Sequence, residues 1–163
     1  MPLSTIDNTG LSQSQILSAI NMSTGSVVQV VQATTTSAVS TTSLSATNTN
    51  ITASITPLFS TSKVLIMINT TYGVSRGTSN TYGDIYYQIT RGGTVVAGPQ
   101  RMALNFGVTT WADFDQQITI NYLDSPATTS STTYTLQMYQ SIANTIAVPF
   151  ASSQGIIQLL EIR

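Results

Sequence analysis

Gln117-Ile118-Thr119-Ile120-Asn121-Tyr122, then Asp124-Ser125-Pro126, then Thr133-Tyr134-Thr135-Leu136-Gln137-Met138: two runs of strictly alternating apolar and polar residues, separated by turn formers. A period of two puts every second side chain on one face of an extended chain, so each run predicts a strand with one buried and one wetted face. Asp-Ser-Pro breaks the pattern because Pro has no N–H to give a ladder, while Asp and Ser bond to their own backbone in turns.

Working outward, the same signal repeats. Ile51, Ala53 and Ile55 alternate with Thr and Ser. Val64-Leu65-Ile66-Met67-Ile68 is continuously apolar, as expected of a strand covered on both faces. Ile85, Tyr86, Tyr87 and Ile89 lead into Arg91-Gly92-Gly93-Thr94, a tight hairpin because paired glycines accept the positive φ of two-residue turns. Val95 and Val96 start the return strand, which Gly98-Pro99 is expected to end. Further strands are predicted over 101–106, 116–123, 132–140, 142–148 and 155–162. The tract from Thr34 to Asn50 is almost wholly Ser and Thr, and reads either as low-complexity disorder or as a solvent-facing edge strand. The expected fold is all-β: an antiparallel β-sandwich or jelly roll.

The opening residues follow another rhythm. Leu11, Ile16, Leu17 and Ile20 stand at helical spacing, with Asn8 and Thr9 as caps and Gly25 as a stop. They predict a short helix over 12–21, which would need a packing partner to persist. The expected organisation is a docking arm over 1–25 and a β-sandwich knob domain over 26–163.

Composition bounds the function. The chain of 163 residues fits one domain with a real core, and no Cys is present to staple it. Only 7% of residues are charged, against about 25% in an ordinary domain. With net charge −1, such a surface favours association, and we read it as partly hidden against other subunits. Lys63, Arg76, Arg91, Arg101 and Arg163 form no cluster, so no nucleic-acid partner is expected. The longest apolar run falls far short of the ~20 residues of a membrane span, so no membrane partner is expected either. Met1-Pro2-Leu3-Ser4-Thr5 lacks the basic and apolar regions of a signal peptide, so export by the general pathway is not expected.

Catalytic chemistry finds little to use. There is no His, no Cys, no phosphate-binding Gly loop and no Gly-x-Ser-x-Gly elbow. Ser60-Thr61-Ser62-Lys63 has Ser-x-x-Lys spacing, but that chemistry needs one helical turn and this segment precedes a strand. No enzyme, cofactor or metal is expected. Trp111, Asp113 and Asp115 form a candidate surface-contact loop; two clustered carboxylates are too few for a Ca²⁺ site. Tyr72, Tyr82, Tyr86, Tyr87, Tyr122, Tyr134 and Tyr139 could face a carbohydrate, although half-buried strand positions or interface anchors are the favoured reading. Sequons at Asn21, Asn50 and Asn69 read as accidents of a Thr-rich chain.

Gly25-Ser26-Val27-Val28-Gln29-Val30-Val31-Gln32, the Ser/Thr tract, Ile55-Thr56-Pro57, Ser62-Lys63-Val64-Leu65-Ile66, Tyr122-Leu123-Asp124-Ser125-Pro126 and the ending Leu159-Leu160-Glu161-Ile162 together resemble small knob domains of bacteriophage fibres and related virion proteins. The resemblance runs from about Gly25 to the C-terminus. It implies a sandwich or jelly-roll knob, commonly trimeric, exposed on the particle. The chain departs from fibres in showing no heptads and no Gly-x-y shaft repeat. The expectation is therefore a virion structural protein, assembled in the host cytoplasm. It acts as a capsid decoration (cement) protein by self-association, trimers being favoured. Leu11, Ile16, Leu17 and Ile20 would dock onto the major capsid protein, another virion protein or a neighbouring subunit. The alternative is a tail-fibre knob that adheres to host surface glycan.

Overall fold

The computed structural model describes residues 23–75, 83–104, 113–141 and 145–163. Among these residues ten strands run β1 (Val27–Thr35), β2 (Val39–Thr41), β3 (Thr47–Ile55), β4 (Lys63–Ser75), β5 (Gly83–Arg91), β6 (Thr94–Leu104), β7 (Asp113–Asp124), β8 (Thr132–Gln140), β9 (Thr145–Val148) and β10 (Gly155–Ile162). Every pairing is antiparallel. The helix expected over 12–21 lies outside the described residues.

Two sheets result. The six-stranded sheet is organised by β4, which pairs with β7 along its whole length on one side. On the other side it pairs first with β10, which carries β1, and then with β9, which carries β2. The four-stranded sheet has the order β3-β8-β5-β6. A single core fills the space between the sheets, from Ile66, Ile68, Tyr72, Ile157 and Leu159 on one side to Ile51, Ile89, Tyr134, Leu136 and Met138 on the other.

The alternation read from the sequence becomes burial directly. In β8, Thr132, Tyr134, Leu136, Met138 and Gln140 are buried while the residues between them face out. The two alternating runs that decide the fold do not pair with each other, however. β7 pairs with β4, and β8 with β3 and β5, so the Asp124-Ser125-Pro126 bend carries the chain across the core to the opposite sheet.

Two expectations change. Gly98-Pro99 does not end a strand: β6 continues through it to Leu104, with the ladder slipping between Tyr87 and Ile89. Pro is tolerated because β6 pairs only with β5 among the described residues, so no ladder bond is lost. Gly98 carries the irregularity at φ 94°, with a would-be Cβ 2.9 Å from the Tyr87 carbonyl oxygen. The Ser/Thr tract is not disordered throughout: it supplies the end of β1, all of β2 and the start of β3.

Buried polar groups fasten the layers. Glu161 is fully buried on β10 and accepts hydrogen bonds from the Gln29 amide (2.7 Å) and the Leu58 and Phe59 backbone N–H groups (2.9 and 3.2 Å). It thereby holds the β3–β4 connection against β1 and β10. Asp124, at the end of β7, accepts from Arg91 (2.7 Å) and from the Tyr134 hydroxyl (2.7 Å), tying the sheets together. Burial, helped by the bond to Asp124 and its charge, holds the Tyr134 phenol far above its ordinary pKa.

Candidate functional site

The outer face of the six-stranded sheet carries an apolar row, flanked by Gln32, Gln158, Asn69 and Thr119. Ladder partners across four strands put Val30, Leu160, Leu65 and Leu123 in one row, running β1, β10, β4, β7. Val30 is 58% and Leu123 46% exposed, while Leu160 and Leu65 are half-buried. Met67 and Ile162 extend the patch along β4 and β10, and Val27 stands exposed opposite Ile162. Across the row the charged atoms are few: Lys63, at the start of β4, is the ladder partner of Ile162.

The outer face of the four-stranded sheet has the opposite character. Its polar side chains satisfy one another across strands: Gln88 donates to Gln137 (2.6 Å), and Gln137 donates to Asn48 (2.7 Å). Thr52 pairs with Thr135 (2.9 Å) and Ser54 with Thr133 (2.7 Å). Tyr86 and Tyr139 stack at 4.9 Å with an interplanar angle of 11°, and Arg101 pairs with Asp84 at 2.9 Å.

Where β6 and β7 approach as the edges of the two sheets, the sandwich gapes. A cleft of about 360 Å³ opens there, lined by Tyr87, Ile89, Ala97, Gly98 and Gln100 from one sheet and Thr119, Ile120, Asn121 and Tyr122 from the other. Ile89 and Ile120 are buried and form an apolar floor, and Tyr87 and Tyr122 are half-buried on the inner sides of opposite sheets. No lining residue is charged. A second hollow of about 280 Å³ beside Arg91 and Thr132 holds a cation already paired with Asp124.

The expected site residues are dispersed. Leu11, Ile16, Leu17, Ile20 and Trp111 lie outside the described residues. Asp113 sits in β7 opposite Ser75, and Asp115 is exposed opposite Gly73. Among the described residues, no group of three or more acidic or other metal-ligating side chains is gathered together. The Ser-x-x-Lys segment is a bend into β4, with Ser60 and Lys63 exposed and Ser62 buried between them. The tyrosines divide: Tyr72 and Tyr134 are core, Tyr86 and Tyr139 stack on the outside, and Tyr87 and Tyr122 face the cleft.

Sequence reading missed the apolar row and the cleft as units. Its one usable signal was the doubly apolar run Val64–Ile68, which marked outer as well as inner side chains. Compared with known proteins, the chain matches no family model and no curated protein.

Proposed function

We propose that this protein is a structural subunit of a bacteriophage particle, a capsid decoration (cement) protein that acts by self-association and by docking onto other virion subunits. One observation carries the reading. β4 and β10 are adjacent inner strands with largely apolar residues on both faces, yet among the described residues only their inner face is covered. Leu65, Met67, Ile156, Leu160 and Ile162 form the second, unused apolar set, and a second copy or a neighbouring virion subunit supplies the missing layer. The low charge content points the same way, since few charges would have to be desolvated on contact.

The strand orders β1-β10-β4-β7 and β3-β8-β5-β6 support reading the sandwich as a jelly roll. Viral capsid and lectin domains use that architecture, a likeness at the level of fold only. The arm with Leu11, Ile16, Leu17 and Ile20 would add a second attachment point. Binding only to the assembled particle would stabilise protein and particle together by linkage.

Quantitative mass spectrometry of purified parent particles tests the assignment. A copy number comparable to that of the major capsid protein is expected. A few copies per particle would move the protein to the tail, and absence from particles would overturn the reading. Deletion of residues 1–24 should abolish attachment while leaving the knob folded. The second reading, a fibre knob adhering to surface glycan, is favoured by the cleft between β6 and β7.

A further inference from the structure

We propose that the cleft between β6 and β7 binds a neutral saccharide, held between Tyr87 and Tyr122 over the Ile89–Ile120 floor and oriented by Gln100. The proposal deepens the glycan-adhesion reading and gives it an inter-sheet site lined by two of the tyrosines. It holds wherever the protein sits on a particle, so its failure and that of the assembly role are separately visible.

The argument begins from hydrogen-bond satisfaction. Several neighbouring amides and hydroxyls of this sandwich pair: Asn48, Gln137 and Gln88 in a chain, Gln158 with Gln32, Tyr72 with Gln116, Tyr134 with Asp124, and Thr119, at the rim of the cleft, with Asn69. Inside the cleft three groups do not. The Tyr87 and Tyr122 hydroxyls and the Gln100 amide have no partner among the protein's described residues. The lining thus offers donors and acceptors of both kinds, two hydroxyls and one amide, above apolar carbon.

That inventory selects a class of ligand. The lining carries no charge, so a phosphate, carboxylate or ammonium group would be desolvated without compensation. A purely apolar ligand would leave the tyrosine and amide groups stripped of water and unpaired. A sugar ring matches both requirements, because its C–H faces pack on aromatic rings while its equatorial hydroxyls both donate and accept. Tyrosine suits this role, presenting a rigid amphipathic surface at low entropic cost. The volume lies near the lower end of ordinary ligand pockets, which fits a mono- or disaccharide better than a longer chain lying wholly inside.

The site is also mechanically supported. Gly98 at φ 94° lets β6 bulge beside Tyr87, and the slipped ladder between Tyr87 and Ile89 sets the spacing of this wall. Tyr122 is fixed by its register with Ile66 on β4, a core position.

Saturation-transfer difference NMR on the full-length protein tests this. The probes are glucose, galactose, mannose, N-acetylglucosamine, maltose and lactose, with glucuronate and sialic acid as charged counterparts. We expect transfer to at least one neutral sugar. Its affinity should fall about tenfold or more in Tyr122→Ala and in the exposed edge variant Gln100→Ala, and should be unchanged in Gln137→Ala on the outer face. Tyr122→Phe, which keeps the packing, should lose part of the affinity, and backbone amide spectra identify any variant that fails to fold. No transfer to any neutral sugar overturns the proposal, as does binding that Gln100→Ala and Tyr122→Phe leave intact. Preference for the charged sugars overturns it too. So does occupation of the cleft by a synthetic peptide of residues 116–124 with no sugar binding, which would make the cleft a strand-pairing edge instead.

Discussion

The two outer faces of this sandwich are built on the same pleat by strands of similar length, yet they meet solvent in opposite ways. On the four-stranded sheet, the outward positions of β3, β8 and β5 are Asn, Gln, Thr, Ser and Tyr, and they bond or stack across the strands. That face is finished within one chain. On the six-stranded sheet, one outward row across β1, β10, β4 and β7 is Val30, Leu160, Leu65 and Leu123, which nothing in the described chain covers, while the rows beside it include Gln32, Gln158, Asn69 and Thr119, paired by hydrogen bonds. Cross-strand pairing stabilises either face modestly, but only the apolar one gains further when a second surface arrives. On the reading proposed above, the difference separates a surface finished in water from one that would be covered on assembly.

The comparison can be broken at adjacent residues of one strand. Ile66 and Leu65 are neighbours on β4, one fully buried and one on the outer row. Ile66→Ala should cost about 2–5 kcal/mol in urea unfolding, because it leaves a cavity between the sheets. Leu65→Asp should leave the monomer folded yet weaken self-association by more than about 2 kcal/mol, as loss of a central interface anchor does. Size-exclusion chromatography with light scattering reads the second effect, and an unchanged oligomer would remove this face from the assembly.

Glu161→Gln replaces a buried acceptor on β10 with a group that both donates and accepts. Losing charge-assisted bonds from Gln29, Leu58 and Phe59 should cost about 1.5–3 kcal/mol in the same unfolding assay. A milder result would mean that the β3–β4 connection is held by other contacts.

Alkaline titration probes the interior against the outside. Burial raises the pKa of Tyr72 and, together with Asp124, that of Tyr134, so the folded state keeps these protons more tightly than the unfolded chain does. The associated stability is therefore present below the ordinary value of 10.0 and falls as pH climbs past it. Phenolate absorbance should show these two phenols titrating last, at or near unfolding, and early ionisation of every tyrosine would contradict the burial. The smallest effect is expected on the finished face. Ser54→Ala removes one exposed hydroxyl pair with Thr133, should cost about 0.5 kcal/mol or less, and should leave the oligomer unchanged.

Much of this architecture was legible because strands announce themselves through a period of two. Thr132 to Gln140 and Ile51 to Ile55 were readable residue by residue, and the Gly92-Gly93 turn placed the β5–β6 hairpin. Gly98-Pro99 misled because a proline that would break an inner strand is harmless at an edge, and edge status is a property of the sheet. The tyrosines could not be sorted in advance. Tyr86 and Tyr87 are adjacent in sequence, yet one stacks on Tyr139 outside while the other lines the inter-sheet cleft.

The sequence by itself determined most strands, the face of the alternating ones that turns inward, the scarcity of charge and the doubly apolar character of Val64–Ile68, since all of these are local or additive properties. Only the tertiary structure decided which strands became neighbours. Pairing partners lie up to 135 positions apart, as Val27 and Ile162 do. That choice put Val30, Leu160, Leu65 and Leu123 in one row and set Tyr87 across a gap from Tyr122. The physical reason is that both sites are assembled from strands distant in sequence, and such contacts form only when burial of the shared core repays the entropy of closing the long loops between them.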